Sequence, residues 1–88
     1  MTPAERKALM ARAHRLDPVV MIGGKGLTEA VIAEIDRALK SHELIKIRAP
    51  AMERDERAAA AKDICARTGA EVVQQVGKVL VLFRKNVD

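Results

Sequence analysis

Between Val19 and Phe83 the chain alternates segments of helical period with short apolar runs. This succession restricts the fold more than any single motif does. Val19-Val20-Met21-Ile22 reads as a short buried strand, broken by Gly23-Gly24-Lys25-Gly26. Thr28 then caps a helix, with Glu29 favourable in its first turn and Val31, Ile32, Ile35 and Leu39 forming its apolar stripe. That helix should run to about Lys40 or Ser41. Leu44 to Ala49 is a second strand, with Ile45, Ile47 and Ala49 facing one way and Lys46 and Arg48 the other. Pro50 stops it. A helix from Arg54 to Thr68 follows, with Ala58, Ala61, Ile64 and Cys65 inward and Gly69 at the left-handed C-terminal cap. Ala70 to Val76 and Val79 to Phe83 are two more strands. Gly77-Lys78 joins them as a two-residue loop with glycine first, suited to a type II′ turn.

A helix precedes all of this. Thr2 can cap it, Pro3 suits its first position and Glu5 completes a capping box. Leu9, Ala13 and Leu16 lie on one face, and Asp17-Pro18 should end it, because the residue before proline avoids the helical region. The order is therefore αβαβαββ. The β–α–β units imply parallel strands with right-handed crossovers, and the hairpin adds an antiparallel one, so the sheet is mixed. Strand two alternates, which leaves part of one sheet face wet. Strands one and four do not, so a further element, helix one, is the candidate cover for their second face.

Eighty-eight residues make one domain, residues 1–88. No apolar stretch approaches the roughly 18 residues of a membrane span, and the charged N-terminus does not resemble a signal peptide. A single cysteine, Cys65, fits a reducing, cytoplasmic setting. Trp and Tyr are absent and Phe83 is the lone aromatic, which argues against RNA-binding modules that stack bases on aromatic platforms. It leaves open a grip on the phosphate backbone.

The net charge of +4 is unevenly spread. Helix one sets Arg6, Lys7, Arg12 and Arg15 against Glu5 alone. Helix two is slightly acidic, and helix three balances its charges. Lys25, Lys46, Arg48, Lys78, Arg84 and Lys85 supply further cations. At about 100° per residue, Lys7, Arg12, His14 and Arg15 turn away from the Leu9/Ala13/Leu16 stripe, giving helix one a basic outer face. Gly23-x-x-Gly26 between a strand and a helix leaves room for a phosphate to approach the main chain, with the helix N–H groups pointing at that space and Lys25 at the tip. A tight strand-to-helix turn needs glycine too. Neither a Walker loop nor a dinucleotide fingerprint is present, since Gly24-Lys25-Gly26 is followed by Leu27, Thr28 and Glu29. His14, His42 and Cys65 show no triad or metal-ligand spacing, so no catalytic residue, metal or cofactor is expected.

The sequence Val19-Val20-Met21-Ile22-Gly23-Gly24-Lys25-Gly26-Leu27-Thr28, with Ile32-Ala33-Glu34-Ile35, His42-Glu43-Leu44-Ile45-Lys46-Ile47, Thr68-Gly69-Ala70, Val76-Gly77-Lys78 and Leu80-Val81-Leu82-Phe83-Arg84, resembles the YhbY-type single CRM domain (chloroplast RNA splicing and ribosome maturation). The resemblance covers nearly the whole chain. It implies a two-layer α/β fold with a four-stranded mixed sheet of order 1-2-4-3, like the C-terminal domain of translation initiation factor 3. It also implies an RNA-binding protein, not an enzyme, that associates with precursors of the large ribosomal subunit and assists assembly. Gly23 and Gly26 match the family's loop glycines, and Gly24 and Lys25 its two variable positions. Lys7, Arg12 and Arg15 match its basic first helix in kind, and Phe83 stands where relatives often carry Tyr. With the loop, Lys7, Arg12, Arg15, Lys46, Arg48 and Arg84 make up the expected RNA-facing set. The expected partners are large-subunit rRNA precursor and the pre-ribosomal particle, bound by a cytoplasmic monomer with no membrane contact. A protein adaptor docking on the ribosome through helix three, and a small enzyme, are the competing readings.

Overall fold

Each helix begins where its capping residues put it. In the computed structural model, which describes residues 1–86, helix α1 spans Pro3–Ala13, α2 Glu29–His42 and α3 Arg54–Thr68. Thr2 accepts from the Glu5 N–H and the Glu5 carboxylate accepts from the Thr2 N–H, completing the capping box. Thr28 Oγ1 accepts from the Val31 N–H at the start of α2. The α3 box uses Glu53 and Glu56, and Gly69 closes that helix at φ 76°.

Strands β1 (Pro18–Met21), β2 (Leu44–Arg48), β3 (Glu71–Val76) and β4 (Val79–Phe83) form one mixed sheet of order β1-β2-β4-β3. β1 and β2 are parallel, joined through α2; β4 lies antiparallel between β2 and β3. Of the two residues that turn the β3–β4 hairpin, Gly77 alone has positive φ, at 56°, as a type II′ turn demands.

The sheet separates two cores. Ile45, Ile47, Leu80 and Leu82 face α2 and α3 and pack with Ile35, Leu39, Ala61 and Ile64. On the opposite face Leu44, Val73 and Val81 pack against Leu9 and Ala13 of α1, so helix one does cover that side. The cover is partial. β1 is therefore a half-exposed edge strand rather than a buried one: Val20 is buried, while Val19 and Met21 are 47% and 59% exposed.

Two further local readings are corrected. Helix α1 stops at Ala13, because the Arg15 and Leu16 N–H groups turn back to the Arg12 and Ala13 carbonyls in a tightened last turn; this swings Leu16 off the stripe into solvent. In α3 the inward face is rotated: Ala58 is exposed and Arg57 is buried in its place. The Arg57 guanidinium donates to the Ala49 and Met52 carbonyls, which holds the turn between β2 and α3 and explains why a charged residue can face inward.

Candidate functional site

The glycine loop is anchored at both ends and bare at its tip. Ile22 is fully buried and its N–H donates to the Arg48 carbonyl at 2.8 Å, fixing the exit from β1. Gly23 to Gly26 form a tight turn closed by the Gly26 N–H on the Gly23 carbonyl at 3.0 Å. The Thr28 N–H donates to the Gly26 carbonyl at 3.1 Å, while its hydroxyl caps α2. Gly24 and Lys25 at the tip are exposed, and their N–H groups donate to no backbone carbonyl among the described residues.

The glycines have different explanations. Gly26 sits at φ 72°, where an L side chain is strained, so the turn itself requires it. Gly23 and Gly24 have negative φ, and a Cβ added at either would meet nothing within 4 Å. Nothing inside the chain demands that these two lack side chains.

Around this loop the sheet gathers part of the expected cationic set. Met21 is paired with Arg48, so Arg48 lies beside the start of the loop and projects, with Lys46, from the α1 side of the sheet. Arg48 is exposed and Lys46 half-buried. The Ala49 N–H donates to the Lys78 carbonyl at 2.8 Å, which brings the hairpin tip to the same end of the sheet. Lys78 is a neighbour that the charge pattern alone does not single out. It becomes one only because β4 lies next to β2, which seats the β3–β4 turn beside the end of β2. Lys7, Arg12 and Arg15 are exposed on or just after α1. Arg12 and Arg15 flank a shallow groove with Leu16, His42 and Leu44, toward the opposite end of β2.

Arg84 does not join this set. It follows β4 at the end of the sheet away from the loop, where its backbone N–H donates to the Glu43 carbonyl. Its side chain is 17% exposed and its guanidinium is 2.6 Å from Asp36 Oδ1 and 2.8 Å from the Thr68 carbonyl, with a further bond to the Asp36 carbonyl. The hydrogen bond from Arg84 holds the Asp36 carboxyl below its ordinary range, with Lys40 helping. Arg84 is thus a clamp between α2, α3 and β4, and its charge is satisfied within the chain.

Of the groups that could carry nucleophilic chemistry, Cys65 is placed for packing. Cys65 lies against the core, where burial, with a smaller push from the Glu71 carboxylate, raises its thiol above the ordinary value. It stays protonated and weakly reactive at neutral pH. Among the described residues no three His, Cys, Asp or Glu side chains converge as a metal site would need.

Comparison with known proteins follows the same outline. The model for the CRS1/YhbY (CRM) domain matches residues 1–84. A protein of Pseudomonas aeruginosa named probable RNA-binding protein is 41% identical over 86 residues, spanning 98% of this chain and 83% of its own length. An RNA-binding protein of Haemophilus influenzae is 43% identical over 84 residues, spanning 96% of this chain and 85% of its own. The solution structure of a hypothetical protein from Staphylococcus aureus superposes with a TM-score of 0.87 at 31% identity, covering all of this chain and 92% of that one.

Proposed function

Because the chain belongs to the CRS1/YhbY (CRM) domain family, we propose that it binds RNA through the Gly23–Gly26 loop and the cations beside it. Its RNA is a precursor of the large-subunit rRNA, and it acts in assembly of that subunit as a cytoplasmic monomer without catalytic turnover. The relatives named as RNA-binding proteins support the ligand class. The ribosomal role rests on the family resemblance.

One observation supports this mode of binding above the others. Gly23 and Gly24 lack side chains that neither φ nor packing forbids, beside N–H groups at 24 and 25 with no backbone acceptor among the described residues. A phosphate oxygen supplies both an object needing close approach and an acceptor for those donors. The following α2 N-terminus adds its partial positive charge. Lys25, Arg48 and Lys78 neutralise neighbouring phosphates, so the contacts follow backbone shape and carry little sequence information themselves.

The test uses Gly24→Asp, which this backbone accommodates without strain. The variant should melt like the wild type and bind a labelled large-subunit rRNA fragment about tenfold or more weakly, since a carboxylate then occupies the phosphate site. Wild-type affinity should fall linearly on a log–log plot against salt, by a slope of about 0.7–0.9 per phosphate neutralised. Unchanged RNA affinity in Gly24→Asp would remove the loop from the interface. In-cell crosslinking followed by rRNA mapping tests the assignment to the large subunit.

A further inference from the structure

The part of the sheet that α1 leaves uncovered is not a random surface. Met21, Arg48, Val79 and Val76 come one from each strand and stand in register as a single row across the sheet. At the usual strand spacing that row is about 14 Å long. Met21 and Val76, at its two ends, are 59% and 53% exposed. The next row inward places Lys46, Val81 and Gln74 on the same face. Between these rows and the end of α1 runs a groove whose floor is Val76, Val79 and Val81, and whose rim carries His14, Lys46 and Gln74.

The chemistry of this groove is one-sided. Its floor is aliphatic, its rim offers an imidazole, an amide and an ammonium, and among the described residues no carboxylate lines it. A protein partner of ordinary surface composition would bring both signs of charge, and this face answers only one. An unpaired nucleotide fits each part: a flat, weakly polar base for the valines, base edges for His14 and Gln74, and a phosphate for Lys46 or Arg48. A base inside an A-form helix cannot enter, because it is stacked and its major-groove edge is out of reach. The row is also continuous with the loop, since Met21 leads through Ile22 into Gly23.

We propose that this groove receives one or more unpaired bases of the RNA strand whose backbone the glycine loop holds. The inference rests on the RNA-binding reading above and deepens it. It gives a domain without aromatic platforms a way to prefer single-stranded over duplex RNA, through aliphatic contact in place of stacking.

The test measures binding of the full chain to two fluorescein-labelled probes: a mixed-sequence single-stranded RNA of ten nucleotides and an abasic ribose-phosphate strand of equal charge. The wild type should prefer the base-bearing strand by about tenfold, the size expected for burying the faces of one or two bases. The double variant Met21→Ser/Val76→Ser changes exposed side chains only. It should keep the wild-type melting temperature, lose about fivefold of that preference, and hold the abasic strand unchanged. Gly24→Asp should weaken both probes equally. Equal wild-type affinity for the two probes would overturn the groove while leaving the loop reading intact. So would a double variant that keeps full preference; if that variant instead lost association with pre-ribosomal particles, the face would belong to a protein. If neither probe binds the wild type, the groove and the RNA-binding reading fall together.

Discussion

Arg48 and Arg84 leave the sheet at opposite ends, and their difference explains the molecule better than its net charge does. Arg84 is enclosed by Asp36, the Thr68 carbonyl and the Asp36 carbonyl, at an end where Asn86 also donates to the Glu43 carboxylate and to the carbonyls of Leu39 and Lys40. That end even holds Glu43 at φ 61°, a backbone state costly for a residue with a side chain. Arg48 stands exposed beside a loop whose Gly24 and Lys25 N–H groups meet no backbone acceptor among the described residues. One end is closed by its own hydrogen bonds; the other presents donors and cations outward. Two arginines of equal formal charge therefore differ in what they do for the fold: Arg84 is spent inside it, and Arg48 is left exposed.

The largest effect that can break this contrast is Arg84→Ala. It leaves the Thr68 carbonyl without the guanidinium and the half-exposed Asp36 carboxylate with Lys40 alone, and should cost about 2 kcal/mol in urea unfolding. RNA affinity of the folded fraction should not change. A loss of affinity in folded Arg84→Ala would return Arg84 to the interface. Next in size is the contrast within the loop. Gly26→Ala forces a methyl group into φ 72° and should destabilise by about 1–2 kcal/mol. Gly24→Ala should cost next to nothing in the same thermal melts. Arg48→Ala should leave stability within about 0.5 kcal/mol. It should weaken RNA binding by about fivefold and flatten the salt slope by just under one unit.

The smallest effect concerns acid. The Asp36 carboxyl titrates below its ordinary value of 3.8 in the folded protein, chiefly because Arg84 bonds to it. Its contribution is therefore complete above that ordinary value and is lost as pH falls through the lower folded one. Asp36→Asn should unfold with a shallower dependence on pH below about 4 than the wild type. Identical acid-unfolding curves would mean the clamp gains nothing from ionisation.

What the sequence made legible was local. Thr2, Thr28 and Gly69 mark helix ends because capping is decided within four residues. The αβαβαββ order and the hairpin follow from period and turn chemistry, and the strand order came with the family resemblance. The half-exposure of β1 was not legible, because it depends on how far α1 reaches across the sheet. The intramolecular pairing of Arg84 was hidden for a similar reason: its partner Asp36 is 48 residues away, and no spacing rule links them. Arg57 looked like one more surface charge on a balanced helix until the turn it holds was seen. Of the site, the loop was visible as a motif and Lys46 and Arg48 by alternation. Lys78 required the neighbouring strands to be known.

The unequal size of the two cores has a consequence in time. Helix α1 is held to the sheet by a small cluster around Leu9 and Ala13, whereas α2 and α3 share the larger one. Local opening follows the amount of buried apolar contact that must be broken. The α1 amides should therefore exchange with solvent deuterium before those of β2 and β4, in a unit of their own. Because Met10 and His14 form one wall of the groove, its width is set by the element that lets go first.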